Sequence, residues 1–256
     1  MFSSIRSSRL SPGVQQVAIA NPPLNLLTQE VRRELGDIWP MLDADDTVRV
    51  VVLGDPALGF CAGADMKEFP QRFDAAVARA HGENAHRMIL GLVAMRKPVL
   101  AAVRGHCMGG GLEIALGCGL RIATADARFA LPEVKRGVWP GTGGVFLLQR
   151  LVGSARARDL LLSGRTIDAA EALALGLVNR VVPVENFEQA VLDYAAELDS
   201  GPLSSIQAIS TLLDHDGVAQ FRRHMQYELE LFVQTYQLPA AREGNLAFFE
   251  KRAPRW

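Results

Sequence analysis

Three consecutive glycines, Gly109 to Gly111, constrain the fold of this chain more than any other feature. The apolar run 98–103 before them has the length and composition of a buried strand, and the residues after them follow a helical pattern. A glycine-lined helix start leaves backbone N–H groups unblocked beside the positive end of the helix dipole. The triple glycine therefore predicts a strand-to-helix turn that can hold a developing oxyanion.

A run of three glycines also has a simpler interpretation, which is a tight bend or the close packing of a helix on a strand. The run is less specific than a P-loop and lacks its Lys-Ser/Thr pair. A second turn of small residues, Cys61-Ala62-Gly63-Ala64, also separates a strand pattern from a helix pattern. Two such turns favour a site in which the N–H groups of Ala64 and Gly110 surround one carbonyl oxygen.

Two glutamates, Glu113 and Glu133, follow the triple glycine. A glutamate in a helix is ordinarily a solvated charge, and that interpretation applies to each of them alone. Glu113, however, has the apolar neighbours Leu112 and Ile114, and Glu133 follows the largely apolar segment 129–132. If both side chains face one cavity, burial and mutual repulsion raise one pKa, so that the pair holds one proton. One carboxyl group then acts as a base while the other donates a proton.

Composition and charge exclude several functional classes. The 256 residues are 49% hydrophobic and 21% charged, which is typical of a globular protein with a sizeable core. The net charge is −1 and no block of like charges occurs, which argues against nucleic-acid binding and a polybasic membrane anchor. No apolar stretch approaches the length of a membrane span, and residues 1–11 lack the apolar core of a secretion signal. We therefore expect a soluble protein.

The three cysteines, Cys61, Cys107 and Cys118, form no CxxC pair and have no clustered histidines around them. This spacing argues against a structural zinc site and against a disulfide framework. We therefore expect no bound metal and a reducing, cytoplasmic location.

Strand and helix patterns alternate up to about residue 200, and beyond it only helices are indicated. Strands are predicted at 14–19, 49–53, 98–103, 120–123, 128–130 and 178–182. Thr28 is a predicted helix cap, and the pairs Asp65/Glu68 and Asp168/Glu171 match capping boxes. The last helices are predicted at 206–213, 218–237 and 241–249. The sequence thus predicts an α/β core in residues 1–199, containing the active site, and a helical region in residues 200–256.

Eight ordered segments carry a resemblance to a known family. They are Asn21-Pro22-Pro23-Leu24-Asn25, Phe60–Asp65, Lys97–Val103, Gly109–Glu113, Pro132-Glu133, Pro140–Gly144, Arg242-Glu243-Gly244 and Phe249–Arg252. Each segment alone is a weak motif, but in this order they span nearly the whole chain. On these segments the chain resembles the enoyl-CoA hydratase/isomerase (crotonase) family.

The resemblance implies a crotonase-like spiral of ββα units, followed by a C-terminal helical region used in trimerisation. The usual assembly in the family is a hexamer of two trimers, so a homotrimer or homohexamer is expected here. The implied substrate is an acyl-CoA thioester whose carbonyl lies between the N–H groups of Ala64 and Gly110. No separate cofactor is implied, because coenzyme A is part of the substrate.

The family match also implies roles for individual residues. Glu113 would orient and deprotonate a water molecule that adds to the β-carbon of a trans-2-enoyl-CoA, and Glu133 would deliver a proton to the α-carbon. Residues 64–67 would contact the coenzyme A portion. The expected substrate-binding residues are Ala62, Ala64, Asp65, Met66, Lys67, Gly110 and Trp139. Trp139 is bulkier than the residue common at its position, which predicts a restricted acyl pocket.

Three alternatives to hydration remain open from the sequence. Double-bond isomerisation needs a single proton shuttle, so Glu133 would suffice and Glu113 would be dispensable. Dehydration of a functionalised acyl-CoA, of the carnitinyl-CoA type, would use the same residues. A non-catalytic scaffold of the same fold is disfavoured by the two retained glutamates. Acyl-chain length and pathway are not indicated by the sequence.

Overall fold

The structure is a computed structural model that describes residues 2–256, the side chains of residues 214 and 215 excepted. Within this part the strands are β1 (Ile5–Ser11), β2 (Val14–Ile19), β3 (Val50–Leu53), β4 (Val99–Val103), β5 (His106–Met108), β6 (Leu120–Thr124), β7 (Arg128–Ala130), β8 (Ile167–Asp168) and β9 (Arg180–Val182). The α-helices are α1 (Gln29–Ala44), α2 (Ala75–Val93), α3 (Gly110–Gly117), α4 (Gly144–Val152), α5 (Ser154–Ser163), α6 (Ala169–Ala174), α7 (Phe187–Asp199), α8 (Leu203–Tyr236) and α9 (Pro239–Phe249).

The larger sheet has six strands in the order β1-β2-β3-β4-β6-β9. All neighbouring strands in it are parallel except the antiparallel pair β1 and β2. Every residue of β3 and β4 is buried, because helices cover both faces of a parallel sheet and the strands can be apolar throughout. The sequence did not predict β1, which is rich in serine and arginine and mostly exposed, as suits a strand at the edge of a sheet.

The smaller sheet consists of β5, β7 and β8, with β5 parallel to β7 and β7 antiparallel to β8. No strand was predicted between residues 103 and 120, but residues 106–108 form one by pairing with residues 128–130. The pairing continues beyond the strand, because the N–H of Gly109 donates to the carbonyl of Ala130 at 2.8 Å. The start of α3 is therefore fixed by this second sheet.

Predicted caps define the helices that border the site. Thr28 caps α1, and its side chain accepts from the N–H of Val31. Asp65 caps a short 3-10 helix, Met66–Phe73, rather than an α-helix. The predicted reciprocal bond from Glu68 is absent, because Glu68 Oε1 accepts from the N–H of Gln29 at 2.9 Å. This contact joins the start of α1 to the 3-10 helix.

The C-terminal region differs from the prediction in one respect. The predicted helices at 206–213 and 218–237 form one continuous helix, α8, in which Gly217 is an interior residue that packs beside the Arg150 side chain. A single glycine weakens a helix by about 1 kcal/mol relative to alanine, which packing against other elements can offset. No helix within the described residues is both long and apolar enough to cross a bilayer.

Candidate active site

The two glycine-rich turns lie against each other. A Cβ atom built on Gly63, which has φ +106°, would lie 2.9 Å from the carbonyl oxygen of Met108. A Cβ atom built on Gly110 would lie 3.9 Å from the backbone nitrogen of Ala64. A side chain at Gly63 would push the turns apart, so this glycine allows the N–H groups of Ala64 and Gly110 to come together.

Leu27 holds the Ala64 turn from the other side. Its N–H donates to the carbonyl of Gly63 at 2.9 Å, and its carbonyl accepts from the N–H of Asp65 at 3.2 Å. This bridge uses the residues on both sides of Ala64. No acceptor in the described chain takes the N–H of Ala64, nor that of Gly110, which is the first residue of α3. Both N–H groups are therefore available to a ligand oxygen.

Glu113 lies in the first turn of α3, and its side chain is buried. Its Oε1 accepts from the N–H of Thr142 at 2.7 Å and from the N–H of Gly144 at 2.9 Å. Burial, and then the negative charge of Glu228, raise the pKa of Glu113 from 4.5 to about 7. The two hydrogen bonds oppose this rise, because they favour the ionised form.

Glu133 lies in the 3-10 helix Pro132–Arg136, and its Oε1 is next to the backbone of Gly109, where a Cβ atom would be 2.6 Å away. Its Oε2 is buried and has no hydrogen-bond partner among the described residues. Burial, and then the negative charge of Glu113, raise the pKa of Glu133 to about 8. The structure thus brings two carboxyl groups of raised pKa to consecutive glycines, Gly109 and Gly110.

A cavity of about 350 Å³ opens beside these groups. Its lining includes six of the predicted site residues, namely Ala62, Ala64, Asp65, Met66, Lys67 and Glu133. Gly110, Glu113 and Trp139 are not among its lining residues within the described chain. The Trp139 ring instead packs edge-on against Phe232, and its Nε1 donates to Thr235 Oγ1 at 2.8 Å.

The cavity also has lining residues that the sequence did not single out. Phe248 and Phe249, at the end of α9, line it together with Arg136. The Arg136 guanidinium stacks on Phe248, with its carbon 4.5 Å from the ring centroid. Lys67 and Arg136 therefore place two cations beside a mostly apolar cavity that Asp65 and Glu133 also line, an arrangement that suits a ligand with an anionic part and an acyl chain.

Glu228 is a further buried group that the sequence analysis missed. Its position does carry a signal, because Phe221, Met225, Glu228 and Phe232 follow one another at helical spacing on one face of α8. All four are buried. A charged residue in such a stripe requires a partner inside the protein. The partner of Glu228 is the loop that also holds Glu113.

Comparisons with known proteins agree with this fold. The family model described as enoyl-CoA hydratase/isomerase matches residues 9–256. "Probable enoyl-CoA hydratase echA8" of Mycobacterium leprae is 37% identical over 257 residues, which covers 96% of each chain. A crystal structure of an enoyl-CoA hydratase from Mycobacterium avium subsp. paratuberculosis K-10 has a TM-score of 0.90 at 30% identity, covering 100% of this chain and 99% of that one.

A crystal structure of carnitinyl-CoA hydratase from Mycobacterium avium has a TM-score of 0.88 at 32% identity, covering 99% of this chain and 98% of that one. The predicted crotonase-like fold is confirmed by these neighbours, and the mixed α/β core is followed by the helices α8 and α9. Both the family model and the relatives span almost the whole sequence. The chain therefore belongs to the enoyl-CoA hydratase/isomerase family.

Proposed function

We propose that this chain is an enoyl-CoA hydratase, a lyase that adds water across the 2,3 double bond of a trans-2-enoyl-CoA. The observation that carries the proposal is a pair of carboxyl groups of raised pKa, the buried Glu113 and the half-buried Glu133, on either side of a glycine turn with a free N–H group. Hydration needs one group that removes a proton from water and another that supplies a proton to carbon. The two acids match this requirement.

The two glutamates begin the reaction in different protonation states. Glu113 receives two backbone hydrogen bonds, which stabilise its carboxylate, so it is the base. Glu133 has one buried oxygen without any donor in the described chain, so it holds its proton more tightly and is the acid. Their mutual repulsion reinforces the difference, because only one of two nearby buried acids ionises readily.

In the proposed reaction Glu113 takes a proton from water as the water oxygen bonds to C3 of the enoyl group. The electron pair of the double bond moves toward the thioester, whose oxygen gains negative charge. The N–H groups of Ala64 and Gly110 stabilise that charge more strongly than the neutral ground state. Glu133 then donates its proton to C2, which completes the addition of one water molecule. Transfer of a proton from Glu113 to Glu133 through solvent restores the starting state.

We also propose that residues 62–67 and Arg136 hold the coenzyme A portion of the substrate. Lys67 and Arg136 supply positive charge for its phosphates, and the apolar lining receives the acyl group. Coenzyme A is part of this substrate, and the proton transfers described here use only side chains and backbone of the chain. No additional cofactor enters the proposed reaction.

The experiment that tests the proposal is incubation of the purified protein with a panel of enoyl-CoA thioesters in isotopically heavy water. Hydration predicts loss of the conjugated absorbance of crotonyl-CoA and a product heavier by one heavy water. E113Q and E133Q are each expected to lower kcat by roughly 10²–10⁴-fold, because each removes one proton-transfer group. E188Q, which changes an exposed glutamate on α7, is the matched control and retains activity.

Other outcomes of the same experiment identify the rival activities. Turnover of a 3-enoyl-CoA that depends on Glu133 and not on Glu113 would show an isomerase. Preference for a functionalised hydroxyacyl-CoA would show a dehydratase. Tight acyl-CoA binding without turnover across the panel would show a scaffold and overturn the proposal.

We further propose that the chain assembles as a homotrimer or homohexamer through the helical region 200–256. Ile209, Leu212 and Leu213 on α8 are 58%, 77% and 74% exposed, and such an apolar cluster is suited to subunit packing. Phe221 and Phe232, in contrast, are buried within the chain. Light scattering of the wild type and of the double variant L212E/L213E tests the proposal. Dissociation of the variant supports it, and a monomeric wild type contradicts it.

We propose a cytoplasmic location. Cys61, Cys107 and Cys118 are buried free thiols, a state that a reducing compartment preserves. Fractionation of cells that express the protein with a C-terminal tag tests the location.

A further inference from the structure

Three consecutive backbone N–H groups, in the loop before α4 and at its first residue, are divided between two buried carboxylates. Those of Thr142 and Gly144 donate to Oε1 of Glu113, and that of Gly143 donates to Oε1 of Glu228 at 2.9 Å. Glu113 comes from α3 and Glu228 from α8, so the loop joins the catalytic helix to the C-terminal region. The direction of each N–H group is thereby fixed by a charged acceptor.

The conformation of the loop agrees with this division. Gly143 has φ +83°, which is a left-handed conformation, and a Cβ atom there would lie 2.5 Å from the ring of Phe221. Gly143 is also the residue that precedes α4, and its N–H is the one of the three that donates to Glu228. A side chain at position 143 would be strained and would collide with Phe221, so glycine suits this arrangement.

Two histidines lie within ion-pair distance of Glu228, although its Oε2 has no hydrogen-bond partner among the described residues. His86 Nε2, from α2, lies 3.2 Å from Oε1, and His224 Nε2, one helical turn earlier on α8, lies 3.3 Å from Oε2. Burial alone would raise the pKa of Glu228, but contacts with His224, His86 and the Gly143 N–H outweigh it and lower that pKa. Glu228 is therefore a buried carboxylate that stays ionised beside the site.

We propose that Glu228 is a positioning residue for Glu113, acting through the Gly143 loop and through its own negative charge. The inference rests on the proposed hydration, because it assigns Glu113 the role of base. The contact with the loop holds Oε1 of Glu113 by hydrogen bonds from two backbone N–H groups. Oε2 is then left near the glycine turn, 3.9 Å from the position of a Cβ atom on Gly110. The charge of Glu228 opposes ionisation of Glu113 and so makes its carboxylate a stronger base.

Other charged groups also surround Glu113 and Glu228. Ionised Glu113 opposes ionisation of Glu133, and Arg32, on α1, interacts favourably with the charge of Glu113. His86 and His224 lie on the side of Glu228. Substitution of Glu228 alone leaves the interactions of Glu133 and Arg32 with Glu113 in place. A change in the pKa of Glu113 in such a variant therefore shows the effect of Glu228.

The first test is E228Q, with E230Q as the matched control on the exposed face of the same helix. E228Q is expected to lower kcat for crotonyl-CoA hydration roughly tenfold to a hundredfold with little change in KM, since a buried contact is lost and the substrate contacts remain. The acidic limb of the profile of kcat/KM against pH is expected to move from about 7 toward the ordinary value of 4.5. If Glu228 only stabilised the fold, the pH of this acidic limb would not change.

The second test is E228D, which keeps the charge but shortens the side chain. It is expected to leave the acidic limb unmoved and to lower kcat, because the carboxylate no longer reaches the Gly143 N–H. This variant also serves if E228Q does not fold, as judged by circular dichroism. An unchanged kcat in E228D would overturn the role of the loop contact. An unmoved limb in folded E228Q would overturn the role of the charge.

An infrared titration separates this inference from the proposed function. The protonated carboxyl band of Glu113, identified by its loss in E113Q, gives the pKa of this residue without any turnover. That pKa is expected to be lower in E228Q than in the wild type and in E230Q. If the wild type hydrates no enoyl-CoA, the hydratase proposal fails. Equal pKa values in E228Q and the wild type would instead overturn the inference about Glu228.

Discussion

Gly109 and Glu133 are in direct contact, because a Cβ atom at position 109 would lie 2.6 Å from Oε1 of Glu133. The absence of a side chain at Gly109 thus allows the carboxyl group to approach the backbone at the start of α3. Glu133 is the proposed donor to the α-carbon, so this close approach sets where the proton is delivered. A small change at position 109 is expected to affect catalysis directly.

Gly109→Ala is expected to lower kcat about 100-fold, because a methyl group displaces the Glu133 carboxyl group by a substantial part of an ångström. Steady-state hydration of crotonyl-CoA measures the effect. Gly105→Ala is the matched control, since Gly105 also has a positive φ, +67°, but no atom within 4 Å of an added Cβ. Both variants place alanine at a positive φ, so equal losses of activity would contradict the importance of the Glu133 contact.

Gly110 and Gly111 are adjacent, but alanine substitutions at the two positions are expected to have different results. A methyl group on Gly110 would point into the space between the Ala64 nitrogen and Glu113 Oε2, each 3.9 Å away, with only the flexible end of Leu27 closer. Gly110→Ala is therefore expected to fold normally and to lose most of its kcat/KM, because the methyl group obstructs the thioester oxygen.

Gly111→Ala is expected instead to destabilise the fold, since its methyl group would collide with the backbone carbonyl of Cys61. A loss of about 2–3 kcal/mol in the free energy of unfolding is typical of such overpacking. Urea denaturation and hydration assays on both variants distinguish the two effects. A destabilised Gly110→Ala with normal activity per folded molecule would contradict the proposed oxyanion site.

Local sequence patterns could predict the elements that carry the two glycine turns. Continuous apolar runs mark strands that are covered on both faces, and the runs at 50–53 and 99–103 form such strands. Thr28 and Asp168 cap helices as predicted, because the oxygen of a capping side chain must lie within three residues of the N–H it accepts. These signals are local, and the structure confirms them.

The missed features depend on contacts between distant parts of the chain. β1 has a polar edge-strand composition and becomes a strand only by pairing with β2. The three residues of β5 are too few to show a strand pattern and are fixed by pairing with β7. Glu228 lies on the buried face of α8, but the sequence does not reveal that its partner is the N–H of Gly143. The burial of Glu113 among apolar residues could be predicted, whereas its coupling to Glu228 could not.

The activity is expected to have a narrow, bell-shaped dependence on pH. Glu113 must be ionised to accept a proton from water, so kcat/KM falls as pH decreases through about 7. Glu133 must be protonated to act as the donor, so kcat/KM falls as pH increases through about 8. Initial rates at low crotonyl-CoA concentration, measured across neutral pH in buffers of constant ionic strength, give both limbs. A profile that stays flat through neutral pH would contradict the assignment of the two acids.

Stability is expected to depend on pH in the sense set by the raised pKa of Glu133. The folded protein binds the Glu133 proton up to about pH 8, whereas the unfolded chain releases it near 4.5. The resulting stabilisation is fully present below the pKa that Glu133 has in the unfolded chain. It is lost as the pH rises through the pKa that Glu133 has in the folded protein. Above that pH, folding requires an ionised carboxylate in a buried site that offers Oε2 no donor among the described residues.

Glu133→Gln removes this ionisation, because glutamine is neutral at every pH. At a pH above 8 the variant is therefore expected to be more stable than the wild type by ~1 kcal/mol or more, since one unit of pKa displacement corresponds to about 1.4 kcal/mol. This corresponds to a Tm higher by roughly 2–4 °C for a chain of this size. Near pH 4 the advantage disappears, because Glu133 is then protonated in the folded wild type and largely protonated in its unfolded chain. Thermal unfolding of the wild type, E133Q and the exposed control E188Q at both pH values measures the difference. If E133Q is less stable than the wild type at alkaline pH, ionisation of Glu133 costs the folded protein little stability, which contradicts the prediction.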